Sequence, residues 1–106
     1  LKQHPLFKET LAGGQCIEWG AKTIPEGGFH AIPDRLSGDG LIMTGDCVGL
    51  VNVPALKGIH YAMMSGMLAA RAIFKALKAG KTTQAELSTY DNSLRSSFIW
   101  KDLRSV

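Results

Sequence analysis

Residues 41 to 78 constrain this chain more than any other stretch. Leu41-Ile42-Met43 is an unbroken apolar run, the pattern of a strand covered on both faces. Gly45 then lets the backbone turn sharply and come close to a ligand. Asp46 sets a carboxylate at the carboxyl end of that strand, where ligands sit in open α/β sheets. Pro54 fixes φ and stiffens the loop that follows. Gly58 opens one long helix, predicted over 59–79, whose free N–H groups and positive dipole end suit an anionic or electron-rich group. Ile59 to Ala70 carries no charge. That run is shorter than the roughly 20 residues a membrane span needs, and His60, Ser65 and Gly66 interrupt it. Ala62, Gly66 and Ala70 recur every four residues and predict close packing along that stripe. Met63, Met64 and Met67 are assigned to the core. Arg71, Lys75 and Lys78 mark a solvent face, and Gly80 ends the helix.

The flanks read more simply. Leu6, Phe7, Thr10 and Leu11 make an amphipathic turn after Pro5, closed by Gly13-Gly14, with His4 at the surface. Cys16-Ile17-Glu18-Trp19, Ala21-Lys22-Thr23-Ile24 and Phe29 to Ile32 predict short strands, with Pro25-Glu26-Gly27-Gly28 as a turn. Glu26 reads as solvated. Pro33 to Gly40 is a polar connector. Thr83-Gln84-Ala85-Glu86 is a capping box for a second helix. Leu87, Tyr90, Leu94 and Phe98 share one face of that helix. Phe98, Ile99, Trp100 and Leu103 form an apolar patch that predicts burial against further protein.

Length and charge exclude several classes. The chain has 106 residues, one small domain at most, and a net charge of +3 with its basic residues scattered. No nucleic-acid footprint is present. Cys16 and Cys47 are its two cysteines, whereas a four-iron cluster takes four thiolates. No spacing predicts a disulfide or a metal site.

The run from Asp46 to Ala70, with Asn52-Val53-Pro54, Lys57-Gly58 and Ser65-Gly66 inside it, resembles the electron transfer flavoprotein–ubiquinone oxidoreductase family. The likeness extends over Gly20 to Gly28 and Tyr90 to Leu103. It implies an α/β fold (α+β as an isolated fragment), part of a two-dinucleotide-binding-type FAD domain with an adjoining strand-rich quinone-binding segment. Its expected divisions are 1–38 for the end of the quinone-binding region, 39–80 for the C-terminal part of the FAD domain and 81–106 for a helical extension. It further implies that Gly45, Asp46, Asn52, Pro54, Lys57, Gly58 and Ile59 contact FAD and that Gly27 and Gly28 belong to the quinone region. Asp46 would hydrogen-bond the ribityl chain, and Lys57 would sit at the pyrimidine end of the ring. A solvated lysine and a plain turn are the simpler readings of Lys57 and of Gly27-Gly28. His60 and Tyr61 would lie near the ring. No catalytic residue and no metal ligand is expected among these positions.

The same resemblance implies electron transfer flavoprotein and ubiquinone as partners. It implies a four-iron, four-sulfur cluster held outside this chain, and peripheral attachment to the mitochondrial inner membrane or a bacterial cytoplasmic membrane. No Gly-x-Gly-x-x-Gly strand–turn–helix for the adenosine diphosphate half of FAD occurs, so the expectation is a piece of a longer enzyme. Geranylgeranyl reductases and nitrogen-fixation-linked flavoprotein dehydrogenases share Gly45-Asp46 and provide the alternative flavin reading. A small non-catalytic binding domain is the alternative outside enzymes.

Overall fold

The long helix begins and ends at the glycines that flank it. The computed structural model, which describes residues 1–106, runs through α1 (Pro5–Leu11), β1 (Ser37–Gly38), β2 (Leu41–Ile42), α2 (Ile59–Ala79), α3 (Gln84–Arg95) and α4 (Phe98–Ser105). Single 3₁₀ turns occupy Phe29–Ala31 and Gly45–Val48. Gly80 closes α2 in the left-handed region, at φ +70°, and its N–H donates to the carbonyls of Ala76 and Leu77. That conformation is strained for residues carrying a Cβ.

Tyr61, Ser65, Leu68, Ala69, Ala72 and Ala76 form the buried face of α2. Four of those six side chains are small, so α3 packs closely against α2. Leu87, Tyr90 and Leu94 of α3 fill the seam, and Ile99 and Leu103 of α4 close its end. The loop from Ile32 to Leu50 lies over this helical layer and contributes Ile32, Leu36, Val48 and Leu50 to the core. β1 and β2 form an antiparallel hairpin within it, Ser37 opposite Ile42 and Gly38 opposite Leu41.

Helix side chains tie this loop down. The buried Asp91 carboxylate accepts from the Leu36 N–H at 3.3 Å and the Ser37 hydroxyl at 2.8 Å. Tyr90 donates its hydroxyl to the Met43 carbonyl at 3.0 Å. Arg95 donates to the Asp34 carbonyl and stacks over Trp100 at 5.7 Å.

The architecture is a small, mixed, helix-dominated domain with a two-stranded antiparallel sheet, in keeping with the α+β form expected of an isolated fragment. Several finer expectations are corrected here. Leu41-Ile42-Met43 is not a strand buried on both faces: β2 has one partner, and Leu41 is 56% exposed. Residues 15–28 form no strands, and Phe29–Ala31 is a 3₁₀ turn. A strand needs a neighbour to take its N–H and C=O groups, and no backbone hydrogen bond joins residues 15–27 to another segment. Every residue from 1 to 27 is exposed, which helps explain a radius of gyration of 18.6 Å, against about 13 Å for a compact chain of this length.

On α2, Gly66 and Ala70 of the expected small-residue stripe face outward, and the packing stripe runs through Ser65, Ala69, Ala72 and Ala76 instead. Met63 and Met67 are more than half exposed, while Met64 packs on the core. The chain breaks at Ser96-Ser97 between α3 and α4, so Ile99 takes the buried place expected for Phe98. Ile99 and Leu103 are buried within the chain itself, and Trp100 packs edge-on against Phe29 at 4.9 Å.

The capping box is replaced by a long-range cap. Thr83 makes no side-chain bond to α3. Asp39, in the hairpin turn, accepts from the Gln84 N–H at 2.8 Å instead. Asp39→Ala is therefore expected to cost about 1 kcal/mol in urea unfolding, and Thr83→Ala only a few tenths. A second expectation concerns alkaline pH. Burial, with Asp91 and Cys47 adding to it and Ser65 opposing, pushes the Tyr90 hydroxyl up from 10 to about 12. The folded state thus holds a proton that the unfolded chain loses, so Tyr90's contribution to stability is whole below pH 10 and is lost as pH rises to about 12. The loss is at most roughly 2–3 kcal/mol. Tyr90→Phe should flatten that part of the stability curve.

Candidate functional site

The end of β2 leads straight into the site. Thr44 is extended, Gly45 takes φ +78°, and the 3₁₀ turn Gly45–Val48 carries Asp46 in its first turn. A Cβ on Gly45 would stand 3.7 Å from the Ala62 Cβ. Space therefore does not demand glycine there; the positive φ does. The buried Ser65 hydroxyl accepts from the Gly45 N–H at 3.0 Å and donates to the Ala62 carbonyl at 2.8 Å.

Residues 52 to 57 form a second, tighter loop. Asn52 and Lys57 pair across it as an antiparallel bridge, N to O at 2.7 and 3.1 Å. The Asn52 side-chain oxygen accepts from the Ala55 N–H at 3.1 Å, so it holds the loop's own backbone. Pro54 lies exposed at the tip, and Leu56 adopts φ +54°. The bridge delivers Lys57 and Gly58 to the start of α2. No side chain caps that helix end, which leaves its first N–H groups facing outward.

An open groove of about 450 Å³ lies at this helix start. Asp46, Lys57 and Glu26 supply its charged groups. Ile24, Val51, Leu56, Ile59, Ala62 and Met63 give it apolar walls. Of the expected contacts, Asp46, Lys57, Gly58 and Ile59 come together here. Gly45 is buried next to Asp46 without lining the groove, and Asn52 and Pro54 stand outside its lining. Gly27 and Gly28 do not line it either. A Cβ on Gly27 would collide with the Ala31 Cβ, and Gly28 takes φ +78°, so the turn into Phe29 favours glycine at both positions. His60 and Tyr61 associate with α4: their rings lie 3.8 Å apart, His60 stacks at 6.3 Å from Phe98, and Tyr61 hydrogen-bonds Asp102 at 3.5 Å. Neither lines the groove.

Sequence reasoning read Glu26 as solvated, gave Val51 and Leu56 no role, and used Ser65 only as part of the Ser65-Gly66 motif. The first three have no local signature, because only the fold of the loops brings them to Ile59. Ser65 did carry a signal: it is the one polar residue within the apolar face of α2.

These groups suit a ligand with a flat apolar body, hydroxyls to donate to Asp46, and an electron-rich edge for Lys57 and the helix start. The ribityl chain and ring of a flavin have that chemistry, and the residues present fit it. No set of three or more metal-ligating side chains is gathered anywhere in the chain.

No family model matches this chain. Curated relatives do. The mitochondrial electron transfer flavoprotein–ubiquinone oxidoreductase of Sus scrofa is 43% identical over 109 residues, covering 99% of this chain and 18% of that protein. The enzyme of the same name from Dictyostelium discoideum is 42% identical, covering 100% of this chain and 19% of the relative. The Arabidopsis thaliana enzyme is 47% identical, covering 97% and 16%. The chain thus spans less than a fifth of the length of these relatives. Near-complete coverage of its own residues at 42–47% identity places it as a segment within their sequence, and the chain belongs to the electron transfer flavoprotein–ubiquinone oxidoreductase family.

Proposed function

We propose that this chain is the flavin-contacting segment of an FAD-dependent electron-transferring-flavoprotein dehydrogenase, which takes electrons from reduced electron transfer flavoprotein and passes them to ubiquinone. The observation that carries this reading is the convergence of Asp46, Lys57 and the uncapped start of α2 on one apolar-walled groove. Asp46 would accept hydrogen bonds from ribityl hydroxyls. Lys57 and the first N–H groups of α2 would face the electron-rich pyrimidine edge, where positive potential favours the reduced ring. Ile59, Ala62 and Met63 would hold the apolar face of the ring away from water. Flavin, when bound, supplies the redox chemistry; these residues bind and orient it. Gly45 shapes the approach to Asp46, while Asn52 and Pro54 shape the loop that presents Lys57. The Gly27-Gly28 turn, next in sequence to Glu26, is the quinone-side element of this reading.

Two further features support a segment that works within more protein. The chain matches under a fifth of its relatives' length. Ile59, Met63, Met67, Phe74 and Leu77 leave an apolar stripe of α2 exposed. The four-iron cluster is assigned to residues outside this chain, whose two cysteines are free and exposed. Membrane contact is proposed as peripheral, at the mitochondrial inner membrane or a bacterial cytoplasmic membrane; no helix is long and apolar enough to cross a membrane. Isoprenoid reduction, a nitrogen-fixation-linked dehydrogenase and a flavin-free binding domain draw no support from the relatives.

Asp46→Ala in the full-length flavoenzyme should weaken FAD about 10- to 100-fold, as loss of charge-assisted hydrogen bonds predicts. FAD titration of the apoenzyme, followed by flavin fluorescence, measures this. Unchanged affinity would remove Asp46 from the site. The 106-residue chain alone is expected to release FAD during gel filtration.

A further inference from the structure

Asp46 can serve a ligand only if the backbone before it is fixed, and little at that point fixes it. The hairpin pairing ends at Ile42, with one further bond from the Met43 N–H to the Leu36 carbonyl. Thr44 and Gly45 then turn the chain into a 3₁₀ turn whose first N–H groups have no partner within the turn. Glycine adds freedom here, since it populates positive and negative φ about equally.

Two hydroxyls bracket this weak point. Tyr90, on α3, donates to the Met43 carbonyl at 3.0 Å, and Ser65, on α2, accepts from the Gly45 N–H at 3.0 Å. Both side chains are wholly buried, at 0% exposure. Neither lines the groove. Packing alone does not call for Ser65: Ala69, Ala72 and Ala76 make the same helix contact with a methyl group. The hydroxyl's use is the Gly45 amide.

We propose that Ser65 and Tyr90 are positioning residues that clamp the backbone on either side of Thr44 and so aim the Asp46 carboxylate into the groove. The proposal rests on the flavin reading of that groove. Neither side chain touches the ligand. Each removes backbone freedom that FAD binding would otherwise have to freeze.

The test uses the full-length flavoenzyme and its apoenzyme, with FAD itself as the probe. Ser65→Ala and Tyr90→Phe are each expected to weaken FAD about 5- to 10-fold, the worth of one neutral hydrogen bond. Each should also speed amide hydrogen exchange at residues 43–47 of the apoenzyme. Leu94→Ala is the control: it opens a cavity in the same core, and should lower the melting temperature while leaving FAD affinity within about twofold. Wild-type affinity and exchange in Ser65→Ala and Tyr90→Phe, or losses no larger than in Leu94→Ala, would overturn the clamp. Should Ser65→Ala fail to fold, Tyr90→Phe decides alone. Asp46→Ala separates the two levels: normal FAD binding there defeats the flavin reading, whereas a defective Asp46→Ala beside normal Ser65→Ala and Tyr90→Phe defeats the clamp only.

Discussion

A loop of nearly twenty residues lies over the helices of this chain with almost no sheet to satisfy its backbone. Two strands of two residues each cannot supply the partners that buried N–H and C=O groups require. Side chains of α2 and α3 supply them instead. Asp91 serves Leu36 and Ser37, Tyr90 serves Met43, and Ser65 serves Gly45. Asp39 returns the service by capping α3 at Gln84. No buried side-chain nitrogen or oxygen is left without a partner. The loop and the helices are thus joined by polar bonds in which each side satisfies the other.

Apolar packing makes those bonds reachable. Small residues on α2 draw α3 close, and the Tyr90 ring, buried between them, carries its hydroxyl through the core to the loop. The groove lies at the edge of this arrangement, where the buried face of α2 gives way to the exposed stripe at Ile59 and Met63. One helix therefore has two tasks. Its inner face holds the Gly45-Asp46 turn, and its open end borders the groove.

Legibility in the sequence followed the range of the forces. Helix limits at Gly58 and Gly80 were readable because capping and chain reversal are local. The grouping of Asp46, Lys57, Gly58 and Ile59 was readable because those residues converge on one helix start. The strands expected in residues 15–32 were not formed, since apolar alternation shows willingness to pair and says nothing of a partner. The capping box failed for a related reason: Thr83 had the right identity, but Asp39, far away in sequence, reached the Gln84 amide. Local structure gives Asn52 and Gly27 a further use that the sequence did not announce: the Asn52 side-chain oxygen braces its own loop at Ala55, and Gly27 leaves room for the Ala31 side chain.

The spacing of the polar ties also sets an order in time. The bonds from α3 to the loop and hairpin join residues 45 to 61 positions apart. On a ribosome adding about 5–20 residues per second, the segment from Asp34 to Met43 emerges roughly 2–12 seconds before the helix that secures it. During that interval the Gly45-Asp46 turn has no anchor on α3, and α2 itself is still being made. Fixing of the turn therefore trails its own synthesis and waits for the helices that follow it in the chain. A slow or paused passage through codons 84 to 95 would prolong the exposure of the turn without changing any residue in it.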